Sequence, residues 1–255
     1  ESLKDYDDNG DKLQVVTEIL RMNEINSSYK IYYDQEMNFY LQKTYNNSIK
    51  QKKTKREKEI LLANLSKFVV HIGEDKIEQN CNKIYIPYFP IGTLENIIQS
   101  LPQKPKSKPQ HQPQQQPPLP PQLKIERLKV ELTNVDRVVI LIEIATALSD
   151  LHSNDQYHGN LCDQFIFISS QLDAYIGSFC YCKNLEGDAT KPRGPFYFRA
   201  PENFVNQLIT QQNAQQQKQH EEEEDESNVN FEDQKLNDIF SFGVILHEVL
   251  TDTNP

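Results

Sequence analysis

Leu151-His152-Ser153-Asn154-Asp155-Gln156-Tyr157-His158-Gly159-Asn160-Leu161 is the stretch on which the fold turns. It closes an apolar-periodic run that opens at Thr133, with Asp136 at capping-box spacing, and continues through Val138, Val139, Leu141, Ile142, Ala145, Leu148 and Leu151. Apolar positions recurring at three and four predict an amphipathic helix ending near His152. Beyond the turn lie two short strand candidates, Phe165 to Ile168 and Ala174 to Ser178, and then Arg199-Ala200-Pro201-Glu202. The run Asn237 to Leu250 is apolar around most of its circumference, a pattern expected of a helix buried on all sides.

Upstream, Tyr29 to Tyr33 and Phe39 to Tyr45 read as strands, Lys52 to Leu65 as a charged helix, and Ile84 to Phe89 as a further apolar strand. Together they predict a small sheet with one helix. Two segments have a composition that buries too little apolar surface to offset the entropy of ordering. These are Leu101 to Gln122, rich in Pro, Gln and Lys, and Gln207 to Gln234, a Gln run followed by acid. Both are expected to be disordered insertions, and Pro117 to Pro121 is read as solvated linker rather than as a ligand for an aromatic groove.

The 255 residues suffice for a two-lobed domain with a sizeable core. A net charge of -10 argues against a general nucleic-acid binder, because that affinity is carried by clustered Lys and Arg. The basic run Lys50 to Lys58 alternates with Glu and reads as one solvated helix face. No apolar run approaches the roughly 20 residues that span a bilayer. Cys81, Cys162, Cys180 and Cys182 form neither a disulfide framework nor a zinc-ligand set, and no secretory leader precedes them, so an intracellular, cytoplasmic setting is expected. The start at Glu1 suggests a segment of something longer.

The order of these features resembles the C-lobe of the eukaryotic protein kinase family. A capped helix leads through Leu151-His152 to the His158-Gly159-Asn160-Leu161 turn and a strand pair. Ala200-Pro201-Glu202 and Asp238-Ile239-Phe240-Ser241-Phe242-Gly243 follow. The spacings agree, with 18 positions from Asn160 to Ser178 and 24 from Ser178 to Glu202. In the first block Phe39-Tyr40-Leu41-Gln42-Lys43 looks like the strand carrying the family's phosphate-pairing lysine, with Glu57 as its partner. Ile84 to Leu94 resembles the hinge, with Ile86 as gatekeeper and Phe89 at the adenine-contacting position. The resemblance implies an α+β, bilobal kinase-like fold, with a β-rich N-lobe over residues 1–91 and a mainly helical C-lobe over 92–255 that stops before the family's last helices. It also implies that Asp238 bonds the backbone of the catalytic loop and that Glu202 pairs with an Arg beyond Pro255.

Under the same resemblance the chemistry is degraded. Phosphoryl transfer needs a carboxylate to orient the substrate hydroxyl and metal ions to neutralise phosphate charge. The family's H-R-D-L-x-x-x-N loop falls on His158, Gly159, Asn160 and, for its metal-binding Asn, Phe165, while the Lys position falls on Cys162. An amide is no general base near neutral pH. The metal-binding D-F-G falls on Ser178-Phe179-Cys180. The phosphate-covering loop is expected near Ile25 to Tyr32, yet no glycine occurs between Gly10 and Gly73. Asp155, Asp163 and Asp173 are nearby carboxylates, none at the required spacing.

The reading is a catalytically impaired pseudokinase that acts through protein partners as an allosteric or scaffolding module. No metal is expected, only weak, magnesium-independent ATP or adenosine binding in a vestigial cleft formed by Lys43, Glu57, Ile86 and Phe89. The alternatives are an atypical active Ser/Thr or Tyr kinase and a purely structural part of a larger assembly.

Overall fold

The computed structural model describes residues 5–6, 12–18, 27–33, 39–45, 51–72, 83–100, 130–184, 195–202 and 231–252. Five antiparallel strands form the first lobe in the order β1 (Asp5–Tyr6), β2 (Lys12–Glu18), β3 (Ser27–Tyr33), β4 (Phe39–Tyr45) and β5 (Lys83–Pro87). In the register, Leu41 faces both Ile31 and Ile86, and Lys43 faces Ile84. Successive strand side chains point to opposite faces. Tyr40 therefore packs with Tyr32 and Tyr85 on one side, where Gln42 also donates to the Tyr85 hydroxyl at 2.6 Å. Leu41 and Tyr45 join the main core on the other, and Lys43 shares their face.

Between β4 and β5, α1 (Gln51–Ala63) turns Thr54, Glu57, Lys58 and Leu61 inward, at the three- and four-residue spacing of one helix face. The expectation of a solvated basic face holds for Lys55, which pairs loosely with Glu59 at the surface, and fails for Lys58, which is buried. The segment after α1 is stitched to the second lobe. Val70 N donates to Ile176 O at 2.8 Å, and Ile176 N donates to Phe68 O at 2.9 Å.

The second lobe begins with β6 (Gly92–Thr93) and α2 (Leu94–Ser100). The capped helix is α3 (Asn134–Ser153), with the predicted capping box formed by Thr133 and Asp136. Its buried face carries Ile140, Leu141, Ile144, Ala147, Leu148 and Leu151, whereas Val138, Val139 and Ile142 point outward. The periodic pattern included both sets, and only the packing of α3 against the strand Ala174–Ile176 and the helix Phe231–Thr251 selects between them. Then come β7 (Gln156–Tyr157), β8 (Ile166–Ile168), β9 (Ala174–Ile176) and β10 (Lys183–Asn184). A three-stranded sheet orders β6-β8-β9, and β10 pairs with β7.

The last helix, α4 (Phe231–Thr251), corrects two expectations. It begins inside the segment read as an insertion, so that Phe231–Gln234 are helical and Gln234 is buried. Nor is it buried all round, because the described elements pack on one side and leave Ile239, Phe240, Leu246 and Leu250 outward. Leu101 to Gln122 and the rest of Gln207 to Gln234 lie outside the described residues. One continuous apolar cluster runs from Ile31 in the sheet through Val69 and Ile166 to Val249 in α4, so a single core unites both lobes of an α+β, bilobal kinase-like fold. Among the described residues no helix is long and apolar enough to cross a membrane.

Candidate functional site

Where the lobes meet, β4 presents Lys43 inward and α1 presents Glu57 toward it. The ammonium donates to Glu57 Oε1 at 3.0 Å and Oε2 at 2.9 Å, with both side chains about 3% exposed. The Lys43–Glu57 pair that the resemblance implies is formed. A charge pair this deeply buried persists only when its remaining hydrogen-bonding capacity is met. Tyr45, two residues along β4, meets part of it by donating its hydroxyl to Glu57 Oε2, while its ring lies 4.9 Å from the Lys43 nitrogen. Nothing in the family pattern pointed to Tyr45, although the period of two along β4 places it on the Lys43 face.

The third Lys43 contact comes from the other lobe, where Nζ donates to Ser178 Oγ at 3.2 Å. Ser178 follows β9 and adopts left-handed backbone, with φ 68° and ψ 56°, which a non-glycine residue adopts only at a cost of order 1–3 kcal/mol when its surroundings over-determine it. Those surroundings are a fully buried Phe179 behind it and Gly177 before it, whose carbonyl accepts from His158 Nε2 at 2.9 Å.

His158 links this strand end to the turn. Because Nε2 faces a carbonyl and Nδ1 accepts from Asn160 N at 3.3 Å, the ring is the neutral Nε2–H tautomer. Asp238, from α4, holds the turn from below. Its Oδ2 accepts from His158 N at 2.7 Å and from His152 Nε2 at 3.1 Å, and its Oδ1 accepts from Gly159 N at 2.9 Å. The predicted catalytic-loop contact of Asp238 is thus in place. Gly159 has φ 73°, and a Cβ there would stand 3.0 Å from Tyr181 O, which accounts for glycine at this position.

Asn160 is buried, and its Oδ1 has no hydrogen-bond partner among the described residues. Phe165 closes a short helical turn, Asp163–Phe165, and its ring is in the core. The positions that resemblance assigns to a base and two magnesium ligands therefore hold an amide, a core phenyl ring and a hydroxyl engaged by Lys43. Magnesium takes oxygen ligands, carboxylates foremost, and this donor set does not fit it.

At the hinge end, Ile86 is buried opposite Leu41, and Phe89 stacks on Phe167 with centroids 5.1 Å apart and lies 5.5 Å from Tyr175. The Phe167 ring reaches to Gly177, where a Cβ would meet it at 2.7 Å. Of the stretch expected to cover phosphate, Ser27 to Tyr32 is part of β3. The connection from β2, residues 19–26, lies outside the described residues and contains no glycine. Ala200 is buried, Pro201 and Glu202 are exposed, and the Ser241 hydroxyl ties α4 to Phe198 O at 2.7 Å.

Sequence reasoning passed over an acidic group at the base of the turn. Asp163 is buried and its carboxyl is pushed up to about 7, by burial first and then by the charge of Glu95. Glu248 on α4 is pushed up to about 8, by burial and then by Asp163 and Glu95. Burial was the missing signal, since Asp163 was weighed only for its spacing.

No curated protein matches the chain. The family model for protein tyrosine and serine/threonine kinases matches residues 29–214, which span the Lys43–Glu57 pair, the His158 turn, Ser178 and Ala200-Pro201-Glu202, and the chain belongs to that family.

Proposed function

We propose that this kinase-family chain is a pseudokinase, a catalytically impaired module that acts by binding or scaffolding protein partners. The observation that carries the reading is the Ser178 hydroxyl accepting from Lys43 at the position where the resemblance expects a metal-binding carboxylate. Asn160 supports it. An amide in the base position takes no proton from a substrate hydroxyl, and no described carboxylate contacts Asn160 or Ser178 in its stead. Asp163, the buried acid three residues on, lies in a turn packed against α2, and its charge is coupled to Glu95.

The cleft retains what an uncharged ring would use better than what a triphosphate would use. By analogy the hinge backbone at Phe89 supplies a donor and, beside the bond its carbonyl already accepts from Gly92 N at 3.0 Å, a second lone pair as acceptor, whereas all three Lys43 donors are engaged and the metal positions lack carboxylates. Nucleotide binding is therefore weak and insensitive to magnesium. The test is calorimetry of ATP and adenosine with and without magnesium, beside a phosphate-transfer assay on generic protein substrates. Magnesium-dependent labelling by the unmodified chain overturns the proposal.

One observation favours an active kinase instead. The Lys43–Glu57 pair is fully formed, as a working phosphate site requires. The same assay separates the readings.

A further inference from the structure

An ammonium group has three N–H donors. In Lys43 all three have acceptors within the chain, namely Glu57 Oε1 at 3.0 Å, Glu57 Oε2 at 2.9 Å and Ser178 Oγ at 3.2 Å. These partners come from separate elements, since Lys43 belongs to β4, Glu57 to α1 and Ser178 to the segment after β9. The three residues are between 2% and 6% exposed, so water offers little competition for any of these bonds.

We propose that Ser178 is a positioning residue that latches the two lobes together without a ligand. Its hydroxyl takes the Lys43 donor that an anionic ligand would otherwise engage, and so sets the Lys43–Glu57 pair in its closed arrangement. A phosphate-bearing ligand then has to break the Lys43–Ser178 bond in order to bind. The inference deepens the pseudokinase reading and rests on it in one respect, that the residue after Gly177 has no metal to hold.

Three further contacts run beside the latch and share its geometry. The turn Phe179–Tyr181, which follows Ser178 directly, packs against α1. The two backbone bonds between residues 68–70 and Ile176 join the same lobes. The left-handed backbone of Ser178 is what aims its hydroxyl back at the sheet, and Gly177, held through its carbonyl by His158, fixes where that turn begins.

The test is hydrogen exchange on the full chain, with and without ATP at about 1 mM, for the unmodified protein, Ser178→Gly and Ser178→Asn. Glycine removes the hydroxyl and suits left-handed backbone, so the fold is not at stake. Asparagine tolerates that backbone and supplies a carbonyl acceptor. In the unmodified protein, ATP is expected to leave exchange over 51–63 and 179–181 unchanged. In Ser178→Gly, exchange there rises about fivefold or more and ATP reverses it, with affinity by calorimetry improved about tenfold. Ser178→Asn restores the unmodified pattern. The latch is overturned if Ser178→Gly exchanges like the unmodified protein, or if ATP protects both equally. None of these readouts involves turnover, so phosphate transfer by the chain would count against the pseudokinase reading and not against the latch.

Discussion

Lys43 on the β-rich lobe and Ser178 on the helical lobe share a hydrogen bond of 3.2 Å, although 135 positions separate them in sequence. Ser178 brings an uncharged acceptor there, while Glu57 brings the carboxylate that pairs with the Lys43 ammonium.

Breaking that charge pair from one side is expected to be costly. Lys43→Met removes the ammonium that neutralises the buried Glu57 carboxylate, and Glu57→Leu removes the carboxylate that neutralises the Lys43 ammonium. Each is predicted to lower unfolding free energy by about 3–5 kcal/mol in urea titrations, whereas Lys43→Met combined with Glu57→Leu recovers much of the loss. A double variant as unstable as the sum of the singles would show that the two sites act independently.

Restoring the general base alone is predicted to be fruitless. Asn160→Asp supplies a carboxylate but leaves Ser178 and Phe165 where the resemblance expects magnesium ligands, so on the pseudokinase reading phosphate charge stays unneutralised. The expected outcome in a labelled-phosphate assay is no transfer above background. Transfer by this single variant would mean that other residues hold the metal.

Stability should fall as pH rises. Asp163 and Glu248 have folded-state values of about 7 and about 8, above their ordinary values of 3.8 and 4.5. A group whose folded value is raised holds its proton more tightly in the folded state. Its stabilisation is full below the ordinary value and is lost as pH rises through the folded one. The thermal midpoint is predicted to decline between about pH 5 and pH 8 by roughly 2–6 °C, and Glu248→Gln should flatten the decline. A midpoint that rises across this window in the unmodified protein would contradict the assignment.

Asp238 is predicted to matter more for the fold than for any ligand. Asp238→Ala withdraws the acceptor of two backbone N–H groups and of His152, and is expected to cost about 2–5 kcal/mol. Gly159→Ala, strained at φ 73° and crowded by Tyr181 O, is expected to cost about 1–2 kcal/mol. Equilibrium denaturation checks both, and a neutral Asp238→Ala would show that the turn is held by other contacts.

Much of the fold was legible because its signals are local. The capping box at Thr133, the alternation along β4 and the glycine at 159 each follow from a few adjacent residues, and local sterics and hydrogen bonding impose the same structure wherever such residues occur. The outline of the site came instead from the resemblance, carried by the order of the motifs and by the intervals from Asn160 to Ser178 and from Ser178 to Glu202, which implied the Lys43–Glu57 pair.

By itself the sequence determined which chemical groups are present, with neutral side chains at Asn160, Phe165 and Ser178, no glycine from residue 11 to 72, and an intact Lys43, Glu57 and Asp238. Only the tertiary structure decided what those groups do to one another. It selected the buried face of α3 from two apolar stripes, left part of α4 outward, drew Asp163 and Glu248 out of water, and brought Ser178 to Lys43. Burial and contact across two lobes depend on every element that packs between them, so no short window of residues contains them.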